Sequence, residues 1–316
     1  ARRGTCVEEG AVTRMAAMNL SVGSYGEVVD GSIIGSDAAD PRYNTAASFD
    51  VVSKLGRGQF STVYKAKCKA DGHLVALKKV NILEIDDPKL RDDCIQEVDL
   101  LSGLAHPNVI RCHAAFVESG VLHIVLEIAE CGALSRMVKY FKKESRHIPE
   151  KVIWKYFVQL VRGLAHMHEQ RVMHRDLKPD NIFVTRDGTV KLGDLGLSRF
   201  FSSATSAAVS FVGTPYYMSP ERITEDFYDF KSDIWSTGCI LYELAALQSP
   251  FQNSKTLYTL VKKIEAVSYP GLPADLYSEA LRELVHSCLL LSNDDRPSAE
   301  KVLEVAEYQH AHFSRH

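Results

Sequence analysis

The chain contains 316 residues, of which 46% are hydrophobic and 24% are charged, and this composition excludes a collagen-like or wholly disordered protein. Lysine and arginine number 37 against 40 aspartates and glutamates, so the net charge of −3 gives no general attraction for nucleic acid or an anionic membrane. The 7 cysteines include no C-x-x-C pair, which favours a reducing compartment over a disulfide framework or a structural zinc site.

Residues 1–47 are predicted to form a flexible extension. They are rich in Gly, Ala, Ser and Asp and contain few large apolar side chains, so burial cannot offset the entropy cost of ordering them. Glu8 and Glu9 interrupt any apolar segment of a secretory signal. Because the chain begins with Ala1, residues 1–14 can also be interpreted as a cloning or translation artefact, with a native start at Met15 or Met18.

Residues 48–129 are dominated by strand signals. β-Branched and aromatic runs are bounded there by Gly and Asp turn residues. The predicted strands are 49–54, 61–67, 74–80 and 121–128, and a helix is predicted at 88–104.

Residues 130–316 show helical periodicity instead, with a short hairpin around the Asp187-Gly188 turn. The clearest predicted helices are 150–170, 231–247 and 278–290, and the hairpin strands are 182–185 and 189–192. The longest nearly uncharged apolar run, 239–247, is too short to span a bilayer. A strand-rich part followed by a helix-rich part predicts a two-lobed α+β fold.

A glycine-rich turn follows the first predicted strand. Gly56 and Gly58 lack side chains, so their backbone amides can approach a polyphosphate closely, and Val63 can cover a purine ring. Alone this signal is weak, because most Gly-x-Gly turns after a strand bind nothing. Ser61 also replaces the third glycine of the usual G-x-G-x-x-G pattern.

The third predicted strand carries Val75-Ala76-Leu77-Lys78, which directs a lysine toward whatever the glycine turn covers. Glu97, on the intervening helix, is the candidate partner that would hold this ammonium group beside phosphate oxygens. The alternatives are an ordinary solvated strand lysine and an ordinary exposed helix glutamate.

The segment His174-Arg175-Asp176-Leu177-Lys178-Pro179-Asp180-Asn181 is much more specific. Asp176 can accept a hydroxyl proton, Lys178 can neutralise charge on a transferring phosphoryl group, and Asn181 can bind Mg²⁺. Asp194 supplies a second hard oxygen ligand for the same metal. Together these residues predict a phosphoryl-transfer site.

These motifs resemble those of protein kinases over residues 48–311. The resemblance implies a bilobal protein kinase fold, with a small antiparallel-sheet N-lobe carrying one main helix (48–129) and a mostly helical C-lobe (130–316). It also implies ATP and Mg²⁺ as cofactors and proteins as substrates. Lys178 and the segment Gly213-Thr214-Pro215 resemble the serine/threonine class.

Individual roles follow from this resemblance. Lys78 would contact the α- and β-phosphates and pair with Glu97, and Asp176 would be the catalytic base. Asn181 and Asp194 would hold Mg²⁺. The residues implied to surround the nucleotide are Leu55, Gly56, Gly58, Val63, Ala76, Lys78, the gatekeeper Leu126, the backbone of Glu127 and Ala129, and Phe183. Asp233 and the Glu221–Arg296 pair would hold the fold.

More narrowly, the chain resembles the NIMA-related (never-in-mitosis) kinases, closest to the short members numbered six and seven. The segments that carry this resemblance include Y-N-T at 43–45, R-D-D-C-I-Q-E-V-D-L-L at 91–101, L-S-R-M-V-K-Y-F-K-K at 134–143 and Y-E-L-A-A-L-Q-S-P-F at 242–251. The resemblance implies a catalytic domain without the long coiled-coil tail of larger members. It also implies mitotic roles at spindle, centrosome and cytokinesis, in cytoplasm, nucleus and spindle poles, with an upstream activating kinase of the same family as a partner. The sequence leaves open whether the chain forms a dimer.

Four regulatory positions are also implied. Ser210 matches the family's activating phosphorylation site, whose phosphate would pair with Arg175. Thr214 would hydrogen-bond Asp176 and Lys178. Cys112 stands where the short members carry a restraining tyrosine, so either that brake is absent or the cysteine simply packs as a small apolar residue.

Two other classes of protein compete with an active kinase. A pseudokinase-like scaffold is disfavoured because it has no need of the intact set of Lys78, Glu97, Asp176, Asn181 and Asp194. A P-loop NTPase is disfavoured because the sequence contains no G-x-x-x-x-G-K-[ST] motif.

Overall fold

A computed structural model of the chain describes residues 33–34, 41–58, 61–85, 88–194, 215–224, 228–254 and 256–315. In this part of the chain a sheet-rich lobe is followed by a helical lobe, which confirms the predicted bilobal α+β fold. The two lobes meet along the segment that follows the last strand of the larger sheet, and the predicted site residues gather there.

The larger sheet has 6 antiparallel strands in the order β1-β5-β6-β4-β3-β2. The strands are β1 (Ile33–Ile34), β2 (Phe49–Arg57), β3 (Ser61–Cys68), β4 (Leu74–Asn81), β5 (Cys112–Glu118) and β6 (Val121–Leu126). Alternation along β5 sends Ala115 and Val117 toward the cluster that includes helix α1 (Pro88–Ser102), and Ala114 and Phe116 to the opposite face. The sheet is therefore apolar on both faces.

Two parts of this lobe differ from the sequence prediction. Strand β5 was not predicted, because its alanines carry little strand signal. The predicted flexible extension, residues 1–47, also includes residues that belong to the fold. Ile34 pairs with Ala115 of β5, and Tyr43 is 5% exposed and stacks on Phe49. Ile34 and Tyr43 are isolated large apolar residues in a polar stretch, so they show no periodicity. Their burial follows only from the residues that they contact in the folded chain. The rest of residues 1–40 lies outside the described part of the chain.

The helical lobe contains helices α2–α8 and a small antiparallel sheet of β7, β8 and β9. Its strands are β7 (Gly132–Ala133), β8 (Ile182–Val184) and β9 (Val190–Leu192), and its helices are α2 (Leu134–Lys143), α3 (Glu150–Glu169), α4 (Pro220–Thr224), α5 (Phe230–Ala246), α6 (Leu257–Glu265), α7 (Glu279–Cys288) and α8 (Ala299–Arg315). The predicted hairpin and the three predicted helices are confirmed to within two residues at each end. Among the helices described, none has the length and apolar character needed to cross a membrane.

Helix α5 forms the centre of this lobe and is buried on nearly all sides. Asp229 and Ser232 form a capping box at its start. Its glycine, Gly238, lies against α7, where an added Cβ would come within 2.6 Å of the Cβ of Cys288. The close approach of the two helices makes α5 a rigid base for the loops above it.

A buried ion pair ties the start of α4 to the segment before α8. Arg296 is 1% exposed, and its Nη1 and Nη2 lie 2.9 and 2.8 Å from the two carboxylate oxygens of Glu221. The same guanidinium donates to the carbonyls of Leu290, Leu291 and Lys231. The charge is therefore fully compensated although it is removed from water.

We expect Arg296→Met to destabilise the protein by about 3–5 kcal/mol, because it leaves the Glu221 carboxylate buried without its partner. Adding Glu221→Gln should recover part of that loss, since the uncompensated charge is then gone. The measurement is the free energy of unfolding in urea. Lys301→Met, which breaks the exposed Lys301–Glu304 pair, is the control and should change little. If Arg296→Met and Lys301→Met lowered the free energy of unfolding equally, this account would be contradicted.

Candidate active site

A cleft of about 210 Å³ lies between the six-stranded sheet and the helical lobe. Of the residues predicted to surround a nucleotide, all but Gly58 line it: Leu55, Gly56, Val63, Ala76, Lys78, Leu126, Glu127, Ala129 and Phe183. Gly58 lies just outside, where its N–H donates to the carbonyl of Ser61 and closes the glycine turn. Ile110, Ile128, Gly193 and Asp194 complete the lining.

The segment joining the lobes is anchored on both sides. The Glu127 N–H donates to the Arg111 carbonyl at 2.9 Å, and the Glu127 carboxylate lies 2.7 Å from Nζ of Lys191 on β9. Cys131 N–H donates to the carbonyl of Val184 on β8. Glu127 and Ala129 therefore present their backbone to the cleft from a fixed position.

Lys78 and Asp194 meet at the inner end of the cleft, although they lie far apart in sequence. The Lys78 side chain, buried on β4, places Nζ 2.7 Å from Oδ1 of Asp194. The charge of Lys78 holds the pKa of the Asp194 carboxyl below its usual range, against the opposing effect of burial. Glu97 falls on α1, but its side chain lies outside the described residues, so the predicted Lys78–Glu97 pair stays a prediction.

Asp176 is held by two of the residues predicted to act with it. Its Oδ2 lies 2.7 Å from Nζ of Lys178 and 2.8 Å from Nδ2 of Asn181. The same Asn181 nitrogen donates to the Asp176 carbonyl at 2.8 Å. Because Oδ2 accepts both bonds, the carboxylate has a fixed orientation and Oδ1 is the oxygen left to accept a proton.

A buried carboxylate on α5 supports the loop that carries Asp176. Asp233 is 0% exposed and accepts the backbone N–H groups of His174 and Arg175 at 2.9 and 3.0 Å. His168 Nε2 and the Tyr228 hydroxyl contact the same carboxylate. Burial alone would raise the pKa of Asp233, but the hydrogen bond and charge of His168 keep it below its usual range. The carboxylate therefore stays ionised and fixes the loop.

A second, more polar cavity of about 520 Å³ lies beside Asp176. Its lining includes Lys178, Asp180, Tyr216, Tyr217 and Arg222. The Tyr217 hydroxyl donates to Glu243 on α5 at 2.5 Å, and burial raises the pKa of that glutamate. Tyr217 and Glu243 were not predicted as site residues, because their pairing depends on how α5 lies under the cavity.

The regulatory residues are only partly described. Ser210 and Thr214 lie outside the described residues. Arg175 has a positive φ of 68°, next to Asp176. Cys112 lines a small apolar space behind Leu126, and burial raises the pKa of its thiol to about 11, so the thiol stays protonated. Both interpretations of this cysteine, lost brake and simple packing, stay open.

The protein kinase domain family matches residues 49–306. The chain belongs to the protein kinase family. Its relatives include the probable serine/threonine-protein kinase nek3 of Dictyostelium discoideum, 40% identical over 261 residues that cover 81% of this chain and 23% of the relative. Mouse serine/threonine-protein kinase Nek1 is 37% identical, covering 80% of this chain and 21% of Nek1. The G2-specific protein kinase nimA of Emericella nidulans is 34% identical, covering 82% and 40%.

These matches place the chain among the NIMA-related serine/threonine kinases. The chain spans less than half the length of the relatives it matches, from 21% of mouse Nek1 to 48% of mouse Nek3. The resemblance to the short members numbered six and seven stays a prediction, because the relatives named here are longer proteins.

Gly193 lines the candidate cleft, although the sequence analysis did not predict it as a site residue. An added Cβ would come within 2.7 Å of Cε2 of Phe183 and 3.2 Å of Cγ1 of Ile110. The Gly193 N–H also donates to the Asn181 carbonyl at 2.9 Å. Glycine therefore lets the Phe183 ring pack directly against residue 193, while Asp194 stays beside the Asn181 loop.

We expect Gly193→Ala to weaken Mg-ATP binding several-fold, because the new methyl group pushes the Phe183 ring into the cleft. Isothermal titration calorimetry with Mg-ATP measures the effect. Gly271→Ala is the control, since its added Cβ meets nothing within 4 Å, and it should bind ATP like wild type. Unchanged affinity in Gly193→Ala would contradict the assignment of this cleft.

Proposed function

We propose that the chain transfers the γ-phosphoryl group of Mg-ATP to serine or threonine hydroxyls of protein substrates. The proposal rests on one main-chain hydrogen bond, from Gly193 to Asn181, which links two groups of polar residues. Lys78 and Asp194 close the apolar cleft, and Asp176, Lys178 and Asn181 form the adjoining loop, linked by the Gly193–Asn181 hydrogen bond.

The cleft provides a binding site for the nucleotide. Val63 and Ala76 on the sheet side and Phe183 on the helical side enclose an apolar space that suits a purine. The backbone of Glu127 and Ala129 offers hydrogen-bonding groups at its edge. Lys78 at the inner end is placed to bind phosphate oxygens, exchanging part of its pairing with Asp194 for them.

The residues present also fit Mg²⁺. The Asn181 side-chain nitrogen carries both amide protons and donates hydrogen bonds to Asp176. The side-chain amide oxygen is therefore the atom left to bind a metal. The Asp194 carboxylate uses Oδ1 for Lys78 and keeps Oδ2. These are the hard oxygen ligands that Mg²⁺ prefers. When bound, the ion supplies electrostatic stabilisation of the transferring phosphoryl group.

Catalysis by the chain's own residues is then positioning and charge neutralisation. Oδ1 of Asp176 orients the acceptor hydroxyl and takes its proton as the new oxygen–phosphorus bond forms and the bond from the γ-phosphorus to the ADP oxygen breaks, so that ADP leaves. Lys178, whose Nζ lies 2.7 Å from the same carboxylate, neutralises charge on the moving phosphoryl group. The polar cavity beside Asp176 is the place for the acceptor segment of a protein substrate.

We expect Asp176→Asn to lower turnover about a hundredfold or more while Mg-ATP affinity stays nearly unchanged, because the amide cannot take the proton. The measurement is ³²P transfer from Mg-ATP to a degenerate serine/threonine peptide library. Asp275→Asn, an exposed position far from the site in sequence, is the matched control. Normal turnover in Asp176→Asn would remove this role. Wild type that binds Mg-ATP but transfers no phosphate would favour the pseudokinase-like scaffold instead.

Activation by phosphorylation of Ser210 is a further part of the proposal. A phosphate adds about −2 of charge and acceptor oxygens that pair with guanidinium groups. Support for Arg175 as the partner comes from its position in the loop, because Asp233 holds its backbone directly before Asp176. The chain is proposed to receive this phosphate from an upstream kinase of the same family and to form a dimer.

We expect Ser210→Ala to lower kinase activity several-fold, because the phosphate that would order the Arg175 region cannot be added. The measurement compares peptide phosphorylation rates with the phosphate content of residues 195–214 determined by mass spectrometry. Ser203→Ala, in the same segment, is the control and should keep its activity. An unchanged rate in Ser210→Ala would contradict the proposed switch.

The cellular role is proposed from the relatives. One of them is named a G2-specific protein kinase, and the others carry Nek names. The name of the first supports a role in cell-cycle control. Action at the spindle, centrosome and cytokinesis, with the protein in cytoplasm, nucleus and at spindle poles, is proposed from the resemblance to the NIMA-related family alone.

A further inference from the structure

Strand β1 consists of two isoleucines that face opposite sides of the sheet. Ile33 lies opposite Phe116 and is 51% exposed, whereas Ile34 lies opposite Ala115 and is 7% exposed. These are the only isoleucines among residues 1–47. The pair therefore contributes one buried and one exposed side chain of identical chemistry at the outer edge of β5.

Ile34 packs into the apolar layer between the sheet and helix α1. On α1 this layer contains Cys94, Ile95 and Val98, and on β5 it contains Ala115 and Val117. Ala115 is small and fully buried, and the neighbouring Ile34 supplies apolar volume beside it at the sheet edge. Strand β1 thus extends the surface on which α1 rests.

The same face of α1 reaches the active site. Cys94 and Val98 are four residues apart and so lie one above the other along the helix. Val98 and Leu101 line the small apolar space behind the cleft, together with Lys78 and Asp194. A displacement of α1 at the Ile34 end therefore moves the wall against which the Lys78–Asp194 pair is held.

We propose that Ile34 is a positioning residue for phosphoryl transfer: by pairing at the edge of β5 and packing in the apolar layer that contains Cys94, it sets the position of α1 behind Lys78 and Asp194. The inference rests on the proposed function of that site. It also assigns part of the sequence predicted as a flexible extension to the support of the catalytic lobe.

The test compares Ile34→Asp with Ile33→Asp in the full chain, with Ile34→Val as the conservative variant. The first readout is the rate at which iodoacetamide alkylates Cys94, followed by mass spectrometry of the α1 peptide. Cys94 is 0% exposed on the inner face of α1, so its alkylation reports release of the helix without any assay of activity. We expect faster alkylation in Ile34→Asp only.

The second readout is kcat and KM for ATP, measured well below the melting temperature of each variant. We expect kcat/KM to fall about tenfold in Ile34→Asp, because small displacements of a catalytic group cost much of its effect. Ile33→Asp and Ile34→Val should stay close to wild type. If Ile34→Asp is insoluble, Ile34→Ala carries the same comparison with a smaller effect.

Three results would overturn the proposal: unchanged Cys94 alkylation in Ile34→Asp, faster alkylation with unchanged kcat/KM, or equal losses in Ile33→Asp. A wild-type chain that transfers no phosphate is a different result, because it contradicts the proposed function. In that case Cys94 alkylation and the Kd for Mg-ATP still decide whether Ile34 sets α1 and the cleft.

Discussion

The carboxylate of Asp233, in the centre of the helical lobe, fixes the loop on which the proposed chemistry depends. It accepts two successive backbone N–H groups, those of His174 and Arg175, and is contacted by His168. A buried charge is stable only when its hydrogen-bonding capacity is satisfied, so the loop, the preceding helix and α5 must lie together for any of them to be stable. The orientation of Asp176 follows from this arrangement.

Helix α5 has a second role beneath the polar cavity. Through Ser232, whose hydroxyl donates to Glu221, it joins the buried Glu221–Arg296 pair, and through Glu243 it binds Tyr217. Tyr217 and Glu221 are therefore attached to the same helix as the loop that carries Asp176. One rigid helix holds both the wall of the cavity and the loop of the proposed base, Asp176. Their positions relative to each other are therefore fixed.

The sheet-rich lobe is joined to this base through the Lys78–Asp194 pair and through the short connection at Glu127. Lys78 is presented by a strand between two others, so its position depends on the sheet as a whole. The sheet in turn is covered by α1 on one face, and on the other face Tyr43 packs against Phe49 of β2. Residues that precede the matched kinase domain thus contribute to the core of the lobe that holds the proposed nucleotide site.

Local sequence patterns determined the fold class, most helices and strands, and the chemical identity of the loop 174–181, because periodicity and closely spaced polar residues are local properties of the chain. Strand β5, the burial of Ile34 and Tyr43, and the role of Gly193 depended on tertiary structure. Each involves contact with a residue distant in sequence, and small or isolated side chains carry no periodic signal of such contacts. For the same reason, the contacts of Lys78 with Asp194 and of Tyr217 with Glu243 could be identified only from the tertiary structure.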